Sequence, residues 1–214
     1  MLSSSAVSDA RPLPWTDALD GLPLAYATPR AWIDVALGDL DALLTDHAHC
    51  EQKAASSAIG LIGRFPGHPG LARAMTALAH EEMRHFRQVL DRIEARGGAL
   101  TKPLPDPYVR ELRAWGFRHR GGIGSLGDLL LVSAFVEARS CERFRLLAGG
   151  LQDDDPELGE FYRNLADAER RHWETFRDLA VEASGERAAG KRLGEMAAAE
   201  GEIVARRPLE PRMH

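Results

Sequence analysis

Four glutamates and two histidines in the 214-residue chain fall at spacings that suit metal chemistry: Glu51, Glu82, His85, Glu137, Glu169 and His172. They form two similar sets. A single glutamate is followed 31 residues later by Glu-x-x-His (51 to 82), and the same order recurs at a spacing of 32 residues (137 to 169). On a helix, positions i and i+3 share a face, so each Glu-x-x-His can offer an oxygen and a nitrogen to one ion. The single glutamates on the partner helices can then bridge. Two divalent cations balance four carboxylates if both histidines bind as neutral imidazoles. Mixed carboxylate and imidazole ligation with open positions suits iron or manganese better than sulfur-rich zinc and copper(I) sites do.

The motif alone is weak, because 17 Glu and 8 His in 214 residues give about 0.6 chance matches to Glu-x-x-His. Its placement is more specific. Glu51 interrupts the apolar stripe Ile33, Leu37, Leu40, Leu44, Ala48, Ala55, Ala58 and Ile62. Glu82 and His85 occupy the stripe of Leu71, Met75, Leu78, Val89 and Ile93. Glu137 sits among Leu126, Leu130, Ala134, Cys141, Phe144 and Ala148, and Glu169 and His172 among Leu158, Tyr162, Leu165, Phe176 and Leu179. A carboxylate buried in such a stripe must be protonated, paired or bound to a cation, since leaving it bare costs roughly several kcal/mol.

Four long helices are needed to carry these stripes. The spacing predicts a first helix from Thr28-Pro29, as N-cap and first turn, without a break to about Arg64. A second runs from the Phe65–Gly70 turn to Gly97-Gly98. A third starts near Ser125, with Asp128 in a capping-box position, and ends at Gly149-Gly150. The fourth opens on Asp155-Pro156 and closes at Ser184-Gly185. Residues 1–28 read as an irregular N-terminal arm, and residues 29–185 as the bundle. Residues 99–124 form a long crossover with a short helical piece at Val109–Trp115, and residues 186–214 an extra C-terminal helix and basic tail. The expected fold is all-α, a four-helix bundle of the ferritin-like type, whose di-iron and di-manganese members carry this ligand pattern.

Composition agrees with a helical protein: 44% apolar, 28% charged and 7% aromatic residues. The chain lacks both an apolar run long enough to span a membrane and the pattern of a signal peptide, so a cytoplasmic protein with no membrane partner is expected. Two cysteines, Cys50 and Cys141, far apart, suggest reduced thiols and small core fillers rather than a disulfide framework or metal ligands. A net charge of -5 argues against a wholly basic surface. Locally the balance reverses. Between Lys102 and Gly122, Lys102, Arg110, Arg113, Arg118 and Arg120 outnumber Asp106 and Glu111, with Tyr108, Trp115 and Phe117 interleaved. Basic groups beside aromatic rings suit phosphate contact and base stacking in a single-stranded loop, and Arg206, Arg207 and Arg212 add to the basic tail. Packing of these aromatics onto the bundle is the competing reading. Of the remaining titratable groups, Glu81 reads as a minor alternative ligand and Glu142 as a surface partner of nearby arginines. His47, His49, His80 and His119 read as surface or ligand-supporting groups.

The segments Asp46–Ala55, Glu81–Phe86, Phe135–Phe144 and Glu169–Trp173 are more particular than ligand spacing demands. Together they resemble the tRNA hydroxylase family that modifies 2-methylthio-N6-isopentenyladenosine, over roughly residues 30–180. The resemblance implies an O2-dependent di-iron monooxygenase that hydroxylates the isopentenyl group of this nucleoside in the tRNA anticodon loop. It implies two iron ions as cofactor, O2 as co-substrate and an external electron-transfer reductase. All six residues singled out above match the family's ligand pattern. Two rival readings are a ferritin-like or rubrerythrin-like di-iron oxidase, peroxidase or iron-storage protein, and a metal-free helical binding module. The second leaves four stripe carboxylates without a cause.

Overall fold

The computed structural model describes residues 18–119 and 123–214, so Arg120 and most of the N-terminal arm lie outside the described residues. Among the described residues there are seven α-helices and no strand. They are α1 (Ala31–Gly38), α2 (Leu40–Arg64), α3 (Pro69–Ala95), α4 (Pro107–Arg118), α5 (Gly124–Gly150), α6 (Pro156–Ser184) and α7 (Glu186–Ala205). The bundle consists of α2 paired with α3 and α5 paired with α6, with α3 meeting α6 across it.

Local sequence sets most of the boundaries. Asp106 and Asp155 cap α4 and α6 by accepting the N–H groups of Val109 and Leu158, and Pro107 and Pro156 follow in the first turn. At the end of α3, Gly97 has φ of 77°, and the Gly98 N–H reaches back to the Ile93 carbonyl, closing the helix as a Schellman turn.

The expected single helix from Thr28 to Arg64 is two helices. Asp39 leaves the helical region at φ -140° and ψ 72°, and its carboxylate accepts the Ala42 N–H, so it caps α2 and ends α1. Thr28 caps neither. It is buried, and its N–H and hydroxyl both donate to the Glu142 carboxylate. Asp128 likewise does not cap α5, which starts at Gly124 without a side-chain cap; Asp128 pairs with Arg192 at 2.8 Å. The crossover helix extends further than Val109–Trp115, because Asp106 and Pro107 start it a half-turn earlier.

The core divides into two apolar clusters with a polar layer between them. One contains Ala58, Met75, Leu130, Ala134 and Phe176; the other contains Leu44, Ala48, Val89, Phe144 and Leu165. Reading outward along each helix, Glu51, Glu82 with His85, Glu137, and Glu169 with His172 fall at the change from one cluster to the other. The cluster order shows that α2 runs with α6, and α3 with α5. The chain must therefore travel the length of the bundle between α3 and α5, about 40 Å for helices of this size, which is why the crossover is long.

α5 is buried on almost every side, because α1, α4 and α7 cover the face turned away from α6. Arg139, fully buried on that face, donates to both oxygens of Glu200 at 2.9 Å, to Glu142 and to the Tyr26 carbonyl. Glu142 is thus a buried partner of Arg139, not a surface group, since residues 26–28 lie over it.

Candidate metal centre

The fold brings the six residues from four helices into one buried layer, and each is at most 5% exposed. Their ligand atoms form two overlapping groups: Glu51, Glu82, His85 and Glu169, and Glu82, Glu137, Glu169 and His172. The shared residues are Glu82 and Glu169. The sequence offered Glu51 and Glu137 as the residues that could bridge; by proximity it is Glu82 and Glu169 that fall in both groups. The Glu-x-x-His glutamates lie between the two groups, while Glu51 and Glu137 each belong to one.

Both histidines turn Nδ1 inward. His172 Nδ1 lies 2.9 Å from Glu82 Oε1 and 3.7 Å from Glu169 Oε2, and His85 Nδ1 lies 3.4 Å from Glu82 Oε2 and 3.7 Å from Glu51 Oε2. These approaches lack hydrogen-bond alignment. Both oxygens of Glu82, Glu169 Oε2 and both Nδ1 atoms are buried polar atoms with no hydrogen bond. Buried polar groups are otherwise almost always satisfied, so five orphaned atoms facing one another fit a cation site.

The charges point the same way. Among the described residues, no arginine or lysine pairs with any of the four carboxylates. Burial, reinforced by the neighbouring carboxylates, pushes Glu51 and Glu137 well above the usual carboxylate range. Burial acts on Glu82 in the same sense, but His172 and His85 outweigh it and hold Glu82 low. Burial also opposes the charge on His172, yet Glu169, Glu81 and Glu82 raise it strongly. The layer holds more negative charge than its own histidines can balance, and two divalent cations fit that deficit.

Two residues support the layer: His47, which the sequence left as a surface or ligand-supporting group, and Glu81, which it offered as a minor alternative ligand. His47 is fully buried in a cage of Phe144, Phe161 and Tyr162, and its Nε2–H donates to Glu51 Oε1 at 2.7 Å. Burial lowers its pKa to about 3, aided by nearby His85, so it stays neutral and holds one glutamate oxygen. Glu81 lies behind the two inward-facing histidines. Its Oε2 accepts from His172 Nε2 at 3.2 Å, and its Oε1 is 3.9 Å from His85 Nε2. Arg84 and Arg171 hold Glu81 Oε1 at 2.9 and 3.2 Å. A carboxylate behind a histidine fixes the tautomer that leaves the opposite nitrogen free for a metal. The signal was present as Glu-Glu-x-x-His, with Glu81 four residues before His85. His49 instead donates to the Thr101 carbonyl, and His80 and His119 are exposed.

A cavity of about 550 Å3 reaches Glu137 from the side, between α2, α4 and α5. Val109, Val132, Val136 and Phe176 supply apolar wall, and Lys53, Arg110 and Arg113 basic wall. The other basic residues singled out in the sequence are dispersed. Arg118 is exposed on α4, and Lys102 lines a separate hollow of about 520 Å3. Arg206 and Arg207 both pair with Glu111, at 2.5 and 3.1 Å. Trp115 is half-buried between Arg192 and the His119 ring, and Tyr108 is buried, so neither is an open stacking platform.

Comparison with known proteins agrees with this frame. A curated tRNA 2-(methylsulfanyl)-N(6)-isopentenyladenosine(37) hydroxylase from Pseudomonas putida is 40% identical, covering 94% of each chain. The protein of the same name from Salmonella typhimurium is 29% identical, covering 74% of this chain and 75% of its own. Among solved structures, a Synechococcus protein described as having aldehyde deformylating oxygenase activity superposes with a TM-score of 0.77 at 38% identity. It covers 89% of this chain and 94% of its own. The model of the tRNA-(MS2IO6A)-hydroxylase (MiaE) family matches residues 21–214, and the chain belongs to that family.

Proposed function

We infer that this chain is an O2-dependent di-iron monooxygenase that hydroxylates the isopentenyl group of 2-methylthio-N6-isopentenyladenosine in tRNA. The observation that carries the reading is the polar layer of Glu51, Glu82, His85, Glu137, Glu169 and His172, reached at Glu137 by a cavity whose wall combines apolar and basic side chains. Two irons would be held by Glu51, Glu82, His85, Glu137, Glu169 and His172. When bound, the pair supplies activation of O2 at a C–H bond. Overall, one oxygen atom enters the C–H bond and the other leaves as water, with two electrons and two protons drawn from an external reductase.

The protein's own residues bind and orient. The apolar wall of Val109, Val132, Val136 and Phe176 accommodates a branched hydrocarbon tail and keeps water from the layer. Lys53, Arg110 and Arg113 meet the phosphates of the anticodon loop, whose unstacked nucleotide can reach into a side opening. A tRNA substrate places the reaction in the cytoplasm, and no described helix is long and apolar enough to cross a membrane.

Nucleoside mass spectrometry of tRNA from a host lacking its own hydroxylase tests the reading. Expression of this chain adds one oxygen to the isopentenyl nucleoside, and Glu137→Ala abolishes the product while leaving helicity intact. Unmodified tRNA in the presence of a fully iron-loaded protein would refute it. Deformylation of an aldehyde instead would favour an activity like the one named for the Synechococcus protein.

A further inference from the structure

The wall of the same cavity carries a second set of donors, formed by Cys50 of α2, Asp106 before α4 and His214. Their ligand atoms all lie within 4.8 Å of one another. His214 Nδ1 is 3.8 Å from Cys50 Sγ and 3.7 Å from Asp106 Oδ2. A thiol and a carboxylate thus approach the same ring nitrogen. In a nucleophile relay they would face opposite nitrogens of the imidazole, so this is not relay geometry. Three donors of different type converging on one point fit a cation.

Each donor is also held from behind. His214 Nε2 lies 3.2 Å from Ser140 Oγ, and the ring stacks on Tyr108 with centroids 5.1 Å apart and planes at 17°. A hydrogen bond from Nε2–H to Ser140 leaves the lone pair on Nδ1, facing Cys50 and Asp106. Asp106 spends Oδ1 on the Val109 N–H as the cap of α4, which leaves Oδ2 for the site. The segment bearing His214 is itself anchored. Arg212 and the Met213 N–H both bind Asp46, at 3.0 and 2.8 Å, which occupies the other carboxylate near Cys50.

We propose that Cys50, Asp106 and His214 form a mononuclear site for a thiophilic divalent cation, Zn(II) by its donor set, separate from the carboxylate layer. A thiolate, a carboxylate and a neutral imidazole balance one such ion. Tetrahedral zinc places these donors about 3.4–3.6 Å apart. The two approaches to His214 Nδ1 therefore shorten by a few tenths of an ångström, and Cys50 Sγ and Asp106 Oδ2, which lie within 4.8 Å of each other, close by about an ångström at most. Three protein ligands leave a fourth position, and the site borders the cavity, where water completes the coordination. Cys50 is next to Glu51, so neighbouring residues of α2 serve two different metal sites on different faces.

The sulfur-to-cobalt charge-transfer band of Co(II) reports thiolate ligation alone, so it does not register cobalt in the carboxylate layer, which has no sulfur ligand. The iron-loaded full chain is titrated with Co(II) and followed by its sulfur-to-cobalt charge-transfer absorption. One thiolate-ligated Co(II) per chain is expected. Cys50→Ser abolishes the band, Cys141→Ser keeps it, and Asp106→Asn and Ser140→Ala each weaken Co(II) binding about tenfold or more. Circular dichroism checks that every variant retains its helices. No thiolate band in the wild type at several-fold excess of Co(II), or a band that survives Cys50→Ser, overturns the proposal. Because the band is read at thiolate-bound cobalt and needs no tRNA turnover, it appears equally in chain that has not been loaded with iron, and the proposal stands or falls separately from the hydroxylase reading.

Discussion

His47 Nε2 lies 2.7 Å from Glu51 Oε1, one helical turn away along α2 and with the histidine fully buried. The imidazole fixes one oxygen of the glutamate and leaves the other facing His85 at 3.7 Å. His47→Ala should lower iron affinity about 10–100-fold, measured by competition with a chelator, with helicity kept. Unchanged affinity would show that Glu51 needs no such support.

Glu81 gives a separate test of ligand orientation. Glu81→Ala releases His172 Nε2, along with Arg84 and Arg171, and should lower iron affinity by about one to two orders of magnitude. Glu81→Gln retains an acceptor for His172 and should recover part of that loss. Equal losses in both variants would assign the effect to charge and not to orientation.

The sharing of Glu82 and Glu169 by the two ligand groups predicts an asymmetry in metal content. Glu82→Ala or Glu169→Ala should reduce both irons together. Glu51→Ala or Glu137→Ala should leave close to one iron per chain. Elemental analysis after anaerobic reconstitution decides, and the reverse pattern would restore the single glutamates as bridges.

Chelated protein should lose stability as pH rises. Glu51, Glu137 and His172 all have folded pKa values above their unfolded ones; His47, lowered to about 3, opposes them only below its ordinary 6.5, so across pH 5–8 these four groups together hold more protons in the folded chain than in the unfolded one. The stability contributed by protonated Glu51 and Glu137 is complete below their ordinary value of 4.5 and falls as pH climbs towards their raised values. For His172 the fall begins near its ordinary value of 6.5. Metal removes these protons, so the iron-loaded chain should lack this decline. Thermal melts of both forms across pH 5–8 measure the difference, as an order-of-magnitude range.

Arg110 and Arg113 on the cavity wall should set the salt dependence of tRNA binding. Replacing both by glutamine should weaken binding and flatten the plot of log K against log salt by about 0.7 for each phosphate that is no longer neutralised. Arg206→Gln should change little, since Arg206 already pairs with Glu111. Filter binding at several salt concentrations separates the two cases.

The sequence by itself determined that four helical stripes form the bundle, the cap at Asp155, and the placement of six polar residues in those stripes. These depend on local backbone chemistry and on a period that any helix imposes. It did not determine the helix break at Asp39, where a capping carboxylate after Gly38 prevails over an otherwise continuous stripe. Nor could it assign the two faces of α5: Glu142 looks exposed from its angular position, but α7 and residues 26–28 bury it with Arg139. Only the tertiary structure decided that Glu82 and Glu169 are shared and that Glu81 backs both histidines. It also decided that His214 meets Cys50 and Asp106. Helical periodicity ranks residues on one helix. Which carboxylate lies between two ligand groups depends on how four helices face one another, and residues 164 positions apart meet only once the chain has closed around them.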